Sequence, residues 1–392
     1  MNKYLRLMEK NAMRAVLRPL RLRDINKRQV LIINDLGYNF SGNPKVVAEY
    51  LHDKCPELSI IYSVKNPSKY EFLQKKGYKI VKFNSFDYMV AALTSKVIVT
   101  NSGGMSYIPL NMKKQTVINT WHGGGAYKTA GIDMYGDSYT FRKDLKLAAK
   151  QTTYFLSTNK RFTECVSHGM MTDKSKFWEI GMPRNDDLIN GNKLRREKIR
   201  SKVGIKPEEH LILFCPTYRK IDDNYFNDSI AISYGIDPDR VCEAFQKRFG
   251  GVWKFAIRLH PCIVNRSELD TSKMLDLTDY EDMQDLLLAS DAMINDFSSS
   301  IWDFMLTRKP GFIFAVDLDE YIRTTRVYTP IEDWPFPIAK NNDELVSNIL
   351  NFDYGEFNKK CDDHYRLLGG VETGKATELV CNKIMSICEV KD

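Results

Sequence analysis

The chain has 392 residues, 43% apolar and 27% charged, with 20 Tyr, 20 Phe and no low-complexity run. That length exceeds the roughly 250 to 300 residues one hydrophobic core supports, so two domains are expected and a disordered chain is excluded. The net charge of +7 lies entirely in the first 28 residues, where nine bases meet two acids; the other 364 residues hold 48 bases and 48 acids, and no nucleic-acid groove is indicated.

In that first segment Arg6, Lys10, Arg14 and Arg18 recur every four residues, while Leu5, Met8, Ala12 and Val16 fall on the opposite side of a 3.6-residue period until Pro19 ends the pattern. The spacing predicts a basic amphipathic helix within residues 1–28 that lies on an anionic membrane surface, each base near lipid contributing about 1 kcal/mol. A helix packed on the protein with a solvated basic face is the alternative. No apolar run reaches the roughly 18 residues of a membrane-spanning helix. The eight cysteines are scattered, without a C-x-x-C pair or a secretory signal, which fits reduced thiols in a cytoplasmic protein.

From residue 29, short β-branched runs alternate with helical stretches: "QVLIIND", "LSIIYSV", "YKIVKF", "KVIVTN", "QTVINTW" and "TYFLST". This is the pattern of βαβ units around a parallel sheet, and it predicts a Rossmann-like domain over residues 29–205. "GNPKVVAEYLHDK" opens a helix, with Asn43 as cap and Pro44 in the first turn. The pattern restarts at "HLILFCPTY" and runs through "WKFAIRLHP", "MLDLTD", "AMINDF" and "GFIFAVD", a second domain over residues 206–375. Residues 376–392 read as a terminal helix that can cross back.

Ligands of open α/β sheets bind beyond the carboxyl ends of strands, and the unusual residues cluster there. "NTWHGGG" runs a strand into glycines, which permit close approach of a substrate beside the rigid wall of Trp121; His122 there can take a proton from an attacking hydroxyl. A tight buried turn is the plainer reading. "RLHP" places Arg258 and His260 on one face of a strand end, suited to a pyrophosphate. "NDFSSS" sets Ser298, Ser299 and Ser300 at a helix start, where backbone N–H groups and hydroxyls can seat a phosphate. Simple serine capping is the alternative there, as a surface ion pair is for Arg219. The six histidines are far apart in sequence and no metal site is indicated.

The ordered set "NTWHGGGAYKTAG", "GMPRND", "CPTYR", "RLHP" and "INDFSSSIWDFMLTRKP" resembles the CDP-glycerol glycerophosphotransferase family of teichoic acid and capsular polymer synthesis. The resemblance implies an α/β GT-B fold, two Rossmann-like domains facing across a cleft, with a CDP-polyol donor and no required cofactor. It implies that His122 is the base and His260 contacts the donor phosphates. Thr217, Arg219, Asp296, Ser298, Ser299 and Arg326 match further donor-site positions. Trp121, Gly123 and Lys128 are expected at the acceptor, together with Asn43 and Lys45. The loop resembles the longer Trp-His-x-x-Gly-Ala-x-Lys variant, and Val327 follows Arg326 where the family often has glycine.

The expected reaction transfers glycerol-phosphate or ribitol-phosphate from CDP-glycerol or CDP-ribitol to a lipid-linked or polymeric acceptor, releasing CMP, at the inner face of the cell membrane. A GT-B glycosyltransferase using a nucleotide-sugar and a catalytically silent nucleotide-binding scaffold are the alternatives.

Overall fold

The computed structural model describes residues 3–103, 105–217, 235–259 and 272–390. Its strands in chain order are β1 (Asn26–Ile33), β2 (Ser59–Val64), β3 (Lys79–Lys82), β4 (Ser95–Thr100), β5 (Thr116–Asn119), β6 (Tyr154–Ser157), β7 (Phe177–Glu179), β8 (Glu209–Cys215), β9 (Val252–Ile257), β10 (Leu275–Asp276), β11 (Ala292–Asn295), β12 (Gly311–Phe314) and β13 (Ile338–Ala339). The chain forms two compact units, Met1–Asp186 with Leu368–Asp392, and Asp187–Leu367.

The first unit holds a parallel sheet of order β3-β2-β1-β4-β5-β6-β7. Both faces are covered, so its central strands are apolar at successive positions rather than at alternate ones. Val30, Ile32, Val97 and Val99 pack with Val47, Ala48 and Leu51 of the Gly42–Lys54 helix and with Val380, Cys381 and Ile384 of the Ala376–Ile387 helix. Leu31, Ile33 and Ile98 pack on the other side against Tyr88, Met89 and Ala92. The last helix therefore belongs to the first unit, and the Asp186 carboxylate ties its start by accepting from Ala376 N at 3.1 Å and Thr377 N at 2.7 Å.

The N-terminal helix runs Lys3–Leu17 and gives way to a 3₁₀ turn, Arg18–Leu22, around Pro19. Its basic side is not the solvated face of the packed alternative. Lys10 pairs with Asp144 at 2.5 Å, and Arg14 donates to the carbonyls of Ser106 at 2.5 Å and Ile108 at 3.3 Å. Leu17 joins the core, whereas Leu5, Met8 and Val16 are 53%, 66% and 73% exposed. Acceptors on the neighbouring surface have drawn two of the bases inward. Among the described residues no helix is long and apolar enough to cross a membrane.

The second unit is a parallel sheet of order β10-β9-β8-β11-β12-β13. Sequence places the boundary near 205, but the chain passes into the second unit at Asp187. The polar Lys193–Lys202 helix is bound to that unit by charge. Arg195 reaches Asp285 at 2.6 Å, Arg196 reaches Asp291 at 2.6 Å, and Arg200 reaches Asp291 at 2.9 Å and the Ala289 carbonyl at 3.0 Å. The Gly42–Lys54 helix is likewise entered from Ser41, not from Asn43, which lies inside its first turn.

Arg200 is 7% exposed and also donates to the carbonyls of Lys206 and Glu209. Replacing it with Ala leaves Asp291 and these buried carbonyls short of donors, and should lower stability by roughly 3 kcal/mol. A fall in the urea midpoint of the second unit is the expected measurement.

Candidate active site

Both sheets reverse strand order between two central strands, β1 and β4 in the first unit, β8 and β11 in the second. At such a point the chain connections diverge to opposite sides and leave a crevice at the carboxyl strand ends.

In the first unit this crevice is closed by buried amides. Asn34 follows β1 and Asn101 follows β4; both are buried, and Asn101 Nδ2 donates to Asn34 Oδ1 at 2.5 Å and to Asp35 Oδ1 at 2.8 Å. The next strand, β5, delivers Trp121 and His122. Thr120 N still donates to Thr100 O at 2.7 Å, so the chain leaves the sheet one residue before Trp121.

Trp121 adopts a left-handed conformation with φ of 54°, rare for so bulky a side chain. Three groups hold it there. Asn119 Oδ1 accepts from Trp121 N at 2.9 Å, and Asn43 Nδ2 donates to Thr120 O at 3.0 Å and Trp121 O at 3.2 Å. Asn43 Oδ1 accepts in turn from Arg184 N at 3.0 Å, and Arg184 Nη1 donates to His122 O at 2.7 Å. The Trp121 ring lies 4.4 Å from the His122 ring between centroids.

His122 is solvent-accessible, and its Nδ1 lies 3.1 Å from the main-chain carbonyl of Asn101. A carbonyl only accepts, so Nδ1 carries the proton and Nε2 presents its lone pair. The protein atoms around the ring strip hydration from the imidazolium and hold the pKa of His122 below its ordinary value of 6.5; the Asn101 carbonyl and Asp35 oppose this, and Arg184 adds to it. Such a group is neutral at pH 7 and poised to accept a proton.

The other expected first-unit residues divide. Gly125, not Gly123, is the loop glycine with positive φ, 73°, and a Cβ there would collide with the Tyr127 ring. Lys128 is exposed. Lys45 is half-buried, its Nζ 5.9 Å from the centre of the Phe40 ring. Asn43, expected to touch the acceptor, is 2% exposed with its amide bonded to backbone, so it positions the His122 loop.

In the second unit Asp296, just after β11, accepts from Thr217 N at 2.9 Å and Thr217 Oγ1 at 2.5 Å, tying the end of β8 to the end of β11. Both were expected at the donor phosphates; the structure pairs them with each other. Arg258 was expected there as well, but Nε donates to the Tyr280 carbonyl at 3.2 Å and Nη2 to that of Glu281 at 3.5 Å. Ser298 Oγ lies 3.1 Å from Ser300 Oγ, and Asn295 Nδ2 donates to the Ser298 carbonyl at 3.1 Å. Ser300 is buried, Ser299 exposed, and the helix they open is short, Ser300–Met305. Arg326 is exposed beyond the Leu318–Thr324 helix. Cys215, at the end of β8, is a neutral thiol, pushed up to about 12 by burial. Arg219 and His260 lie outside the described residues.

The sequence reading missed Asp35 and Asn101. Their only signal is a polar residue at the end of an apolar strand in "LIIND" and "VIVTN". Arg184 stands inside the quoted "GMPRND", without a role attached to it.

The chain matches the CDP-Glycerol:Poly(glycerophosphate) glycerophosphotransferase family over residues 15–386. It belongs to that family. It is 29% identical over 359 residues to the teichoic acid poly(glycerol phosphate) polymerase of Staphylococcus epidermidis, covering 88% of this chain and 48% of that one. It is 26% identical over 378 residues to the teichoic acid glycerol-phosphate transferase of Staphylococcus aureus, covering 92% and 93%. The chain thus spans about half the length of the first relative and nearly all of the second. The solved structure of the wall teichoic acid polymerase TagF matches with a TM-score of 0.80 at 27% identity, covering 99% of this chain and 97% of that chain. The fold is the expected GT-B-like one, built on two parallel α/β sheets.

In an NMR titration His122 should titrate below pH 6.5. Arg184→Ala removes a positive charge facing the ring and should move that midpoint upward.

Proposed function

We propose that this protein is a CDP-polyol-dependent polyol-phosphate transferase of teichoic acid synthesis. An acceptor hydroxyl attacks the β-phosphorus of CDP-glycerol or CDP-ribitol. The new O–P bond forms as the bond to the bridging oxygen breaks; CMP leaves, and His122 Nε2 takes the hydroxyl proton. The observation that carries the reading is the His122 ring, with Nδ1 tied to the Asn101 carbonyl and Nε2 left as the acceptor, in a chain of this family.

The first unit supplies the base, with Trp121, Gly123 and Lys128 in the loop that meets the acceptor. To the second unit we assign the donor contacts, at Ser298, Ser299 and Arg326, with Arg219 and His260 assigned by their motifs. Asp296, Thr217, Arg258 and Asn43 shape the strand ends instead. Hydrogen-bond donors aimed at the pyrophosphate stabilise charge growing on the leaving CMP.

The acceptor is a lipid-linked or polymeric polyol phosphate, and a CDP-activated donor suits the cytoplasmic face of the membrane. The N-terminal helix is the docking element on this reading. Its outer stripe of Leu5, Met8, Ala12 and Val16 enters the headgroup layer, while the exposed Arg18 and Arg21 meet anionic headgroups.

Incubation with CDP-glycerol and, separately, CDP-ribitol should release CMP with one of them and create a phosphodiester visible by phosphorus NMR; transfer of a sugar without a new phosphodiester would sink the assignment. His122→Ala should lower kcat on the order of 1,000-fold. Met8→Glu with Val16→Glu alters exposed positions only and should abolish co-sedimentation with anionic vesicles while leaving CMP release from a soluble acceptor intact. Removal of residues 2–19 with undiminished sedimentation would disprove the docking role.

A further inference from the structure

The His122 ring is oriented by a carbonyl, and that carbonyl belongs to Asn101, whose side-chain donors and acceptor are all engaged. Asn101 uses both amide hydrogens, on Asn34 Oδ1 at 2.5 Å and Asp35 Oδ1 at 2.8 Å, and its Oδ1 accepts from Asp35 N at 2.8 Å. The second carboxylate oxygen of Asp35 accepts from Asn39 Nδ2 at 3.0 Å, and Asn34 Nδ2 bonds Asn39 and Ser41 in turn. To reach this arrangement Asp35 and Leu36 take φ of 42° and 53°, and Gly37 follows at 84°. Three successive left-handed residues persist only where surrounding bonds over-determine them.

We propose that Asp35 and Asn101 are positioning residues for His122: Asn101 fixes through its main-chain carbonyl which ring nitrogen holds the proton, and Asp35 locks Asn101 and supplies the negative charge that a forming imidazolium requires. The inference rests on the base role given to His122 above. Among the described residues two charged groups act on the ring, one of each sign. Arg184, anchored to the His122 carbonyl, opposes protonation. Asp35 favours it, and is linked to the imidazole through Asn101, whose side chain it binds and whose main-chain carbonyl meets the ring. Loss of hydration around the ring, with Arg184 adding to it, keeps the ring neutral before reaction, and Asp35 compensates the proton it then receives. The arrangement serves the purpose of a carboxylate bonded directly to an imidazole, with an asparagine residue interposed.

The test uses the full chain, CDP-glycerol as donor and a synthetic lipid bearing glycerol phosphate as acceptor, with wild type, Asp35→Asn, Asn101→Ala and His122→Ala compared. Asparagine tolerates positive φ as aspartate does, so Asp35→Asn keeps the turn. That variant is expected to hold the KM for CDP-glycerol within about two-fold and to lower kcat on the order of 10- to 100-fold. The acid limb of its pH profile should shift to lower pH, because loss of the negative charge lowers the pKa of the base. A merely structural role would leave that limb in place.

In nitrogen-15 spectra the neutral wild-type His122 should be the Nδ1–H tautomer, and Asn101→Ala should raise the Nε2–H fraction. If His122→Ala is inactive while Asp35→Asn keeps both kcat and acid limb of wild type, this inference fails and the base assignment stands. An active His122→Ala overturns the base assignment itself. A wild-type ring found as the Nε2–H tautomer overturns the inference without recourse to any variant.

Discussion

The architecture depends on how a parallel sheet closes the gap where its strand order reverses. Neighbouring strands part company there, and the N–H and C=O groups at their ends lose the partners that the ladder supplied. Each sheet solves this with a carboxylate that bridges the two central strand ends. In the first unit Asp35, beyond β1, binds the side chain of Asn101 beyond β4. In the second, Asp296, beyond β11, binds Thr217 beyond β8. The carboxylate sits on the first strand of the pair in one case and on the second in the other. The consequence differs accordingly: the first tie leaves the Asn101 carbonyl turned toward the His122 ring, whereas the second accompanies a turn in which Asn295, Ser298 and Ser300 bond one another.

Strain and its restraint explain why these residues are buried amides. Trp121, Asp35 and Leu36 all occupy left-handed backbone, at about 1 to 3 kcal/mol each. An unrestrained loop would relax and release the His122 ring. The restraint comes from Asn43, Asn101 and Arg184, whose donors reach main-chain carbonyls or carboxylates that would otherwise be unpaired. An aliphatic residue of similar size at position 43 would fill the space and lose the geometry, because Thr120 O, Trp121 O and Arg184 N each need a partner.

What the sequence makes legible follows from the range of each signal. Strands buried on both faces announce themselves as runs such as "VLIIN" and "LILFC", because burial acts on every residue of the run. The edge strands β7 and β13 have three and two residues and no periodicity to detect. The polarity of the Lys193–Lys202 helix has its reason in Asp285 and Asp291, about ninety positions away, a pairing no local window contains. Motif residues stand at the carboxyl ends of strands, but a motif does not say which side chain turns outward. Asn43, Thr217, Asp296 and Arg258 have the chemistry of ligand contacts and use it on the protein itself, since a strand end needs the same donors and acceptors that a phosphate does.

The N-terminal helix carries that ambiguity to its limit. Periodicity establishes that Leu5, Met8, Ala12 and Val16 share a face and that Lys10 and Arg14 lie elsewhere; it is silent on which face turns inward. The usual assumption, that the apolar face packs on the protein, holds when the surface beneath is itself apolar. Here that surface presents the Asp144 carboxylate and the carbonyls of Ser106 and Ile108, acceptors that a cation engages and an aliphatic stripe does not. Satisfying them with Lys10 and Arg14 obliges the helix to expose its leucine and methionine side. The outward apolar stripe thus follows from the polar character of the protein surface behind the helix.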